Sequence, residues 1–384
     1  MTAVPFYIYD HLGGDAKTSG FVGAIQSASY ALVCLASSRF AARSERGLLW
    51  AMLGSAIFAL IFPLGILVKD VRWLVACSIL AMGGTALFWP AMQAWLGTEP
   101  NPAVRAKRVG IYNLSWTFGL AFGALAGGWL YKQAYWLPFA VVPVSTLTAT
   151  FLVWSLPHER DHFAPANPDT DNAIDNTWVR TSDIYLFSAW AANFSAWCMI
   201  NVLRNVYAKR LDDVVAAGKF TIFGTVNADP SIRPVVFGFL SLTLYVVFGL
   251  LSVQLSRMSF WKHRLSVLVA LQLVAAGAFF VLGRTSEMSI MFLCFVAVGG
   301  CTAVCFFASL MYSIARPESK HFRATIHEGM VGIGGVLGPV VFGELASRVS
   351  TSWPFLLTPL FVIVIICLQV ALLYWGKRWA ARRV

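Results

Sequence analysis

A long succession of apolar runs, each near 20 residues, constrains this chain more than any other feature. The runs fall at 19–41, 47–68, 72–97, 108–131, 134–156, 183–208, 234–256, 264–283, 287–315, 323–347 and 353–376. At about 1.5 Å per residue, each is long enough to cross a hydrocarbon layer of about 30 Å as a helix. Lipid offers the backbone no hydrogen-bond partner, so the spans must be helical. The alternating segments of about ten residues that a β-barrel needs are missing. The expectation is an all-α polytopic membrane protein with eleven full spans.

Composition agrees. The chain is 58% hydrophobic and 12% charged, with 15 Trp suited to membrane interfaces. Its net charge of +11 does not indicate nucleic acid, because the basic residues sit in short clusters between apolar runs. The seven cysteines all fall inside apolar runs without a CxxC pair, and read as packing residues rather than a disulfide framework.

The polar stretch 157–182, with three prolines and five acidic residues, divides the spans five and six. The expected organisation is a bundle over 1–156, a linker over 157–182 and a bundle over 183–384. Of the 29 Lys and Arg, 18 collect on one side of the membrane, ten on the other, and Arg204 lies within a span. The richer side is expected to be cytoplasmic, which puts the linker and the C-terminus there and the chain in the cell (inner) membrane.

The two halves repeat. With Arg108 set against Arg323, an offset of 215, Gly119 meets Gly334, Gly123 meets Gly338 and Gly128 meets Gly343. Span 19–41 meets 234–256 at the same offset. Internal repeats of this kind build many transporters. The span at 183–208 has no complete partner in the first half. Residues 1–9 look like the outer end of a helix, so a helix beginning upstream of Met1 is expected.

Two six-helix halves around a cytoplasmic linker resemble the major facilitator superfamily. The resemblance is carried best by Gly110, Gly119, Gly123, Gly127 and Gly128, which keep the glycine spacing of that family's antiporter signature, with Ala124 in place of its proline. In the second copy Gly334, Gly338, Pro339 and Gly343 match, while Thr325 and Phe342 depart. Arg43 and Arg46 stand where the family has a basic loop after its second helix, without the expected Gly and Asp. The resemblance implies a fold of two pseudo-symmetric bundles, with the first helix mostly missing here. It implies alternating access, and export in exchange for protons. Physically, Gly119, Gly123 and Gly127 recur every four residues and form a bare helix stripe. Such a stripe serves close static packing or helix rocking.

Polar groups at membrane depth are costly and mark pathways. Glu328 lies about 7 Å along its helix from Arg323. With the adjacent His327 it is a candidate for proton coupling; a wetted interfacial carboxylate is the alternative. Asn193, Trp197, Asn201 and Arg204 draw one helix stripe that could face a solute, or Arg204 could snorkel to the headgroups. Asn113 stands at the repeat position of Glu328. Gln26, Gln93 and Gln254 are further cavity candidates. Glu344, one turn from Arg348, reads as its ion-pair partner. His158 and His162 fit HExxH but enter a Pro-rich segment where two imidazoles would not converge on zinc.

The functional expectation is a secondary carrier for a small solute, neutral or anionic, with protons as the candidate coupling ion. No cofactor, metal, nucleic acid or catalytic residue is expected, and the unit is a monomer in a lipid bilayer. The alternative is a non-transporting sensor or membrane enzyme.

Overall fold

The computed structural model describes residues 3–41, 47–96, 101–155, 176–316 and 319–381. Arg43 and Arg46 lie outside these, as do His158 and His162; of Gln93 only the helical backbone is described. The apolar runs form helices α2 (Ala16–Ala41), α3 (Gly47–Ile61), α4 (Val71–Leu96), α5 (Pro102–Gln133), α6 (Leu137–Ser155) and α7 (Asn176–Val202). After α8 (Ala208–Ala216) come α9 (Arg233–Arg257), α10 (Leu265–Leu282), α11 (Met288–Ser313), α12 (Lys320–Arg348) and α13 (Trp353–Ala381). A short α1 (Ala3–His11) precedes them.

Ten helices among the described residues are long and apolar enough to cross a membrane. The run at 134–156 opens with a turn at Tyr135–Trp136 and continues as α6, a helix of 19 residues. The run at 183–208 is longer than expected. It begins at Asn176 and continues through a π-helical turn, Leu203–Tyr207, into α8. A hairpin of β1 (Thr221–Ile222) and β2 (Thr225–Val226) follows, within the polar stretch before α9. The carboxylate of Glu287 accepts the backbone N–H groups of Phe223 and Gly224 at its tip.

The two halves meet along two seams, α5 against α9 and α2 against α12. The 215-residue offset carries α2 onto α9 and α5 onto α12, so each seam is the symmetry counterpart of the other. Both seams are close-packed through small residues. A side chain on Gly238 would meet the carbonyl of Ala124 at 2.7 Å, and one on Gly20 would meet the carbonyl of Pro339. Gly128 faces Pro234 on one seam, as Gly343 faces Ala16 and Gly20 on the other. Small residues thus bring the backbones together where lipid supplies no hydrophobic drive between helices.

Polar contacts tie the halves on the arginine-poor face. Lys17 on α2 pairs with Glu344 on α12 at 3.0 Å, and Ser347 Oγ donates to Asp15 at 2.7 Å. Asp10 pairs with Arg233 at 3.4 Å, and Tyr9 Oη donates to the carbonyl of Asn205 at 3.1 Å. The expected Glu344–Arg348 pair is present at 2.5 Å. The same carboxylate therefore also spans the seam to Lys17.

Candidate functional site

The polar residues of α12 converge with those of α2, α7 and α11. Glu328 is 3% exposed and His327 is fully buried. Tyr30, from α2 in the other half, donates its hydroxyl to Glu328 Oε2 at 2.6 Å. Behind Glu328, His327 Nδ1 lies 2.7 Å from Ser309 Oγ on α11 and 3.4 Å from Asn193 Nδ2 on α7. With the Asn193 amide as donor, Nδ1 accepts and the ring proton sits on Nε2. That atom has no hydrogen-bond partner and lies 3.9 Å from Glu328 Oε1. Ser309, His327, Glu328 and Tyr30 therefore form a polar row that starts inside one half and ends in the other.

The opposite seam carries an uncharged counterpart. At the 215-residue offset Tyr30 corresponds to Tyr245 and Glu328 to Asn113. Asn113 is fully buried on α5 and accepts from Trp116 Nε1 at 3.1 Å, while its own Nδ2 has no partner. Aromatic rings fill the space between the seams. Phe306 packs edge-on to His327 at 4.7 Å, and lies 5.6 Å from Trp116 and 6.1 Å from Trp197. Trp197 Nε1 and Asn193 Oδ1 are buried without partners. Unsatisfied polar atoms from both halves are thus gathered around one aromatic cluster, an arrangement suited to a polar solute held against rings.

The remaining expected residues divide. Asn201 is buried and donates to the carbonyl of Trp197 at 2.9 Å, so its amide serves its own helix. Arg204 is half-buried in the π-helical turn, one turn beyond Asn201. Gln26 is buried and donates to Ser78 on α4 at 3.1 Å, a bond inside the first half. Gln254 is exposed on α9. Tyr30 and Ser309 escaped the sequence reading. The offset of 215 between Tyr30 and Tyr245 was the available signal.

The sequence profile of the Major Facilitator Superfamily matches residues 1–228. The chain belongs to the major facilitator superfamily. It is accordingly a multi-pass membrane transporter in its broad class. Solved transporters with this fold are similar over almost the whole chain. A bacterial homologue of the human drug peptide transporters PepT1 and PepT2 superposes with a TM-score of 0.68 at 13% identity, covering 98% of this chain and 94% of that one. The nucleoside transporter NupG gives 0.64 at 12% identity, covering 97% and 94%. The human organic anion transporter MFSD10 gives 0.60 at 14% identity, covering 92% and 83%. At these identities the likeness shows the fold alone. No curated protein sequence matches the chain.

Within this superfamily member the glycine signature is used unevenly. Gly334 and Gly338 lie against the backbone of α7, where added side chains would meet the carbonyls of Phe194 and Cys198 at 2.8 and 2.7 Å. Their counterparts Gly119 and Gly123 face open space. The close approaches of α5 run instead through Gly110, against Ser256, and Gly128, against Pro234.

Proposed function

We propose that this chain is a secondary carrier that moves a small solute by alternating access, coupled to protons at Glu328. The contact between Tyr30 and Glu328 carries the reading. A carboxylate shielded from water at membrane depth is costly while charged. Its ionised form accepts the Tyr30 hydroxyl in a charge-assisted bond, roughly twice as strong as a neutral one. Proton loading on Glu328 therefore changes how firmly the α2–α12 seam is held. A proton arriving from one face can so favour opening toward the other. His327 Nε2, beside Glu328, is placed to share that proton, with Ser309 and Asn193 fixing its ring.

The solute site falls among Asn113, Asn193, Trp197 and the Phe306 cluster, with Asn201 and Arg204 toward the arginine-poor end. A neutral or anionic small molecule suits this inventory. Export is the direction in keeping with the glycine spacing of α5 and α12. The arginine-rich face is assigned to the cytoplasm, with the 157–182 linker and the C-terminus, by the distribution of Lys and Arg.

The experiment is flux of a solute panel into proteoliposomes, with and without an imposed pH gradient. Gradient-driven movement of at least one small solute supports the reading. Protein-dependent flux that ignores the gradient removes proton coupling, and no flux across a broad panel removes the carrier assignment.

A further inference from the structure

A second recess, with a mainly apolar lining and a charged base, lies on the arginine-rich face. It encloses about 490 Å³ between α7, α12, α13, Arg316 and Ser319. At its base one carboxylate, Asp183, pairs with two guanidinium groups, Arg316 and Arg323. These three residues leave a net positive charge. Arg316 Nε and Ser319 Oγ are buried there without hydrogen-bond partners. Ser319 precedes the first turn of α12, yet its hydroxyl makes no capping bond to that helix. A serine in this position ordinarily satisfies one of the free N–H groups of the turn. Here the hydroxyl, the guanidinium nitrogen and the positive end of a 29-residue helix are left for something else.

The walls are of a different character. Phe187 packs against Trp190 at 5.3 Å and against Trp375 at 5.4 Å. Phe322, on the opposite side, is 69% exposed, and Trp375 is 52% exposed. Exposed Lys377 and Arg378 follow Trp375 along α13. A positively charged, hydrogen-bonding base thus opens between aromatic walls at the end of membrane-spanning helices.

We propose that this recess binds an anionic phospholipid from the leaflet on that face. The phosphodiester sits at Arg316 and Ser319, and the acyl chains lie along Phe187, Trp375 and Phe322. Charge selects the head group. A phosphodiester without a cation of its own neutralises the excess charge left by Asp183, Arg316 and Arg323. Phosphatidylcholine would bring a quaternary ammonium toward Arg316, Lys377 and Arg378. The walls select a lipid over a soluble phosphate, because a bare anion leaves those rings uncovered. Basic recesses between helices on this side of a membrane are suited to such head groups.

Native mass spectrometry of the detergent-purified chain tests this, with phosphatidylglycerol, phosphatidylcholine and glycerol 3-phosphate added in separate arms. Retained phosphatidylglycerol at roughly ten-fold lower concentration than phosphatidylcholine is expected, with no adduct from glycerol 3-phosphate. Arg316→Gln should weaken phosphatidylglycerol retention about ten-fold, the size of a lost charge-assisted bond. Arg323 still pairs with Asp183 in that variant. Ser319→Ala, which disturbs no ion pair, should weaken it in the same direction. Arg257→Gln, an exposed arginine on the same face outside the recess, should leave it unchanged. Equal retention of the two lipids, or an Arg316→Gln protein that binds like the parent, overturns the proposal. Binding of glycerol 3-phosphate as tight as that of the lipid overturns the assignment to lipid.

Discussion

Tyr30 and Glu328 meet across the boundary between the two halves, hydroxyl to carboxylate at 2.6 Å, from helices that are 298 residues apart in sequence. At the symmetry-equivalent place the pair is Tyr245 and Asn113, which carries no titratable acid. On the proposed function, the seam that carries the carboxylate is the one that responds to protons.

Removing the hydroxyl should loosen the seam. A hydrogen bond to a charged group contributes about 1.5–3 kcal/mol. Tyr30→Phe should raise the population with α2 and α12 apart by roughly ten-fold or more. Spin labels at Leu32 and Phe322, both exposed, would read this as a new long-distance component. An unchanged distance distribution would mean that the bond does not hold the seam.

The glycines predict a contrast between repeat-equivalent positions. Gly338→Ala drives a methyl group to 2.7 Å from the carbonyl of Cys198 and should cost about 1–3 kcal/mol, seen as a lower melting temperature in detergent. Gly123→Ala adds its methyl group to open space and should be neutral, or stabilising by up to about 1 kcal/mol through helix propensity. Equal losses at both positions would contradict the asymmetry between the halves.

The tie between Lys17 and Glu344 predicts a reversible lock. As an exposed ion pair it contributes little by itself, about 0–1 kcal/mol, so Glu344→Gln alone should change flux only slightly. A covalent link at the same place is different. Cysteines at both positions, joined by a short thiol crosslinker in a Cys367→Ser background, should stop solute flux until the link is cleaved. The other six native cysteines are buried. Full flux with the link in place would show that this face need not open.

A pH response is expected outside the spans, at His263 in the connection from α9 to α10. Its ring stacks on Tyr312 at 5.3 Å, and Nε2 lies 3.2 Å from Ser182 Oγ. Burial, with a smaller contribution from Lys262, lowers its pKa to about 4. The folded protein thus resists a proton that the unfolded chain accepts near 6.5. The stability of this corner is full above pH 6.5 and declines as pH falls toward 4. Trp178 lies 4.6 Å from the ring and offers an optical signal. Its fluorescence should titrate near pH 4 in the parent and not in His263→Phe. A transition at the same pH in both proteins would place the titrating group elsewhere.

The helices and the repeat were readable in the sequence because lipid leaves an apolar run of about 20 residues few options. Glu328, His327 and Asn193 were singled out for a related reason, since polar groups stand out against an apolar background. What meets them was not readable. Tyr30 and Ser309 are ordinary membrane residues until tertiary packing sets them beside Glu328 and His327. Nor did the sequence show that Gln26 bonds to Ser78 within its own half or that Gln254 is exposed. Spacing likewise marks a glycine stripe without saying which helix lies against it.

The account rests on Glu328 carrying the proton that moves the seam, and Glu328→Gln tests this most directly. Glutamine keeps the shape of the side chain and can still accept from Tyr30, but it cannot take up a proton. In proteoliposomes the variant should lose solute accumulation driven by a pH gradient while keeping solute exchange at equal pH. Gradient-driven accumulation that persists at the parent level in Glu328→Gln would contradict the account.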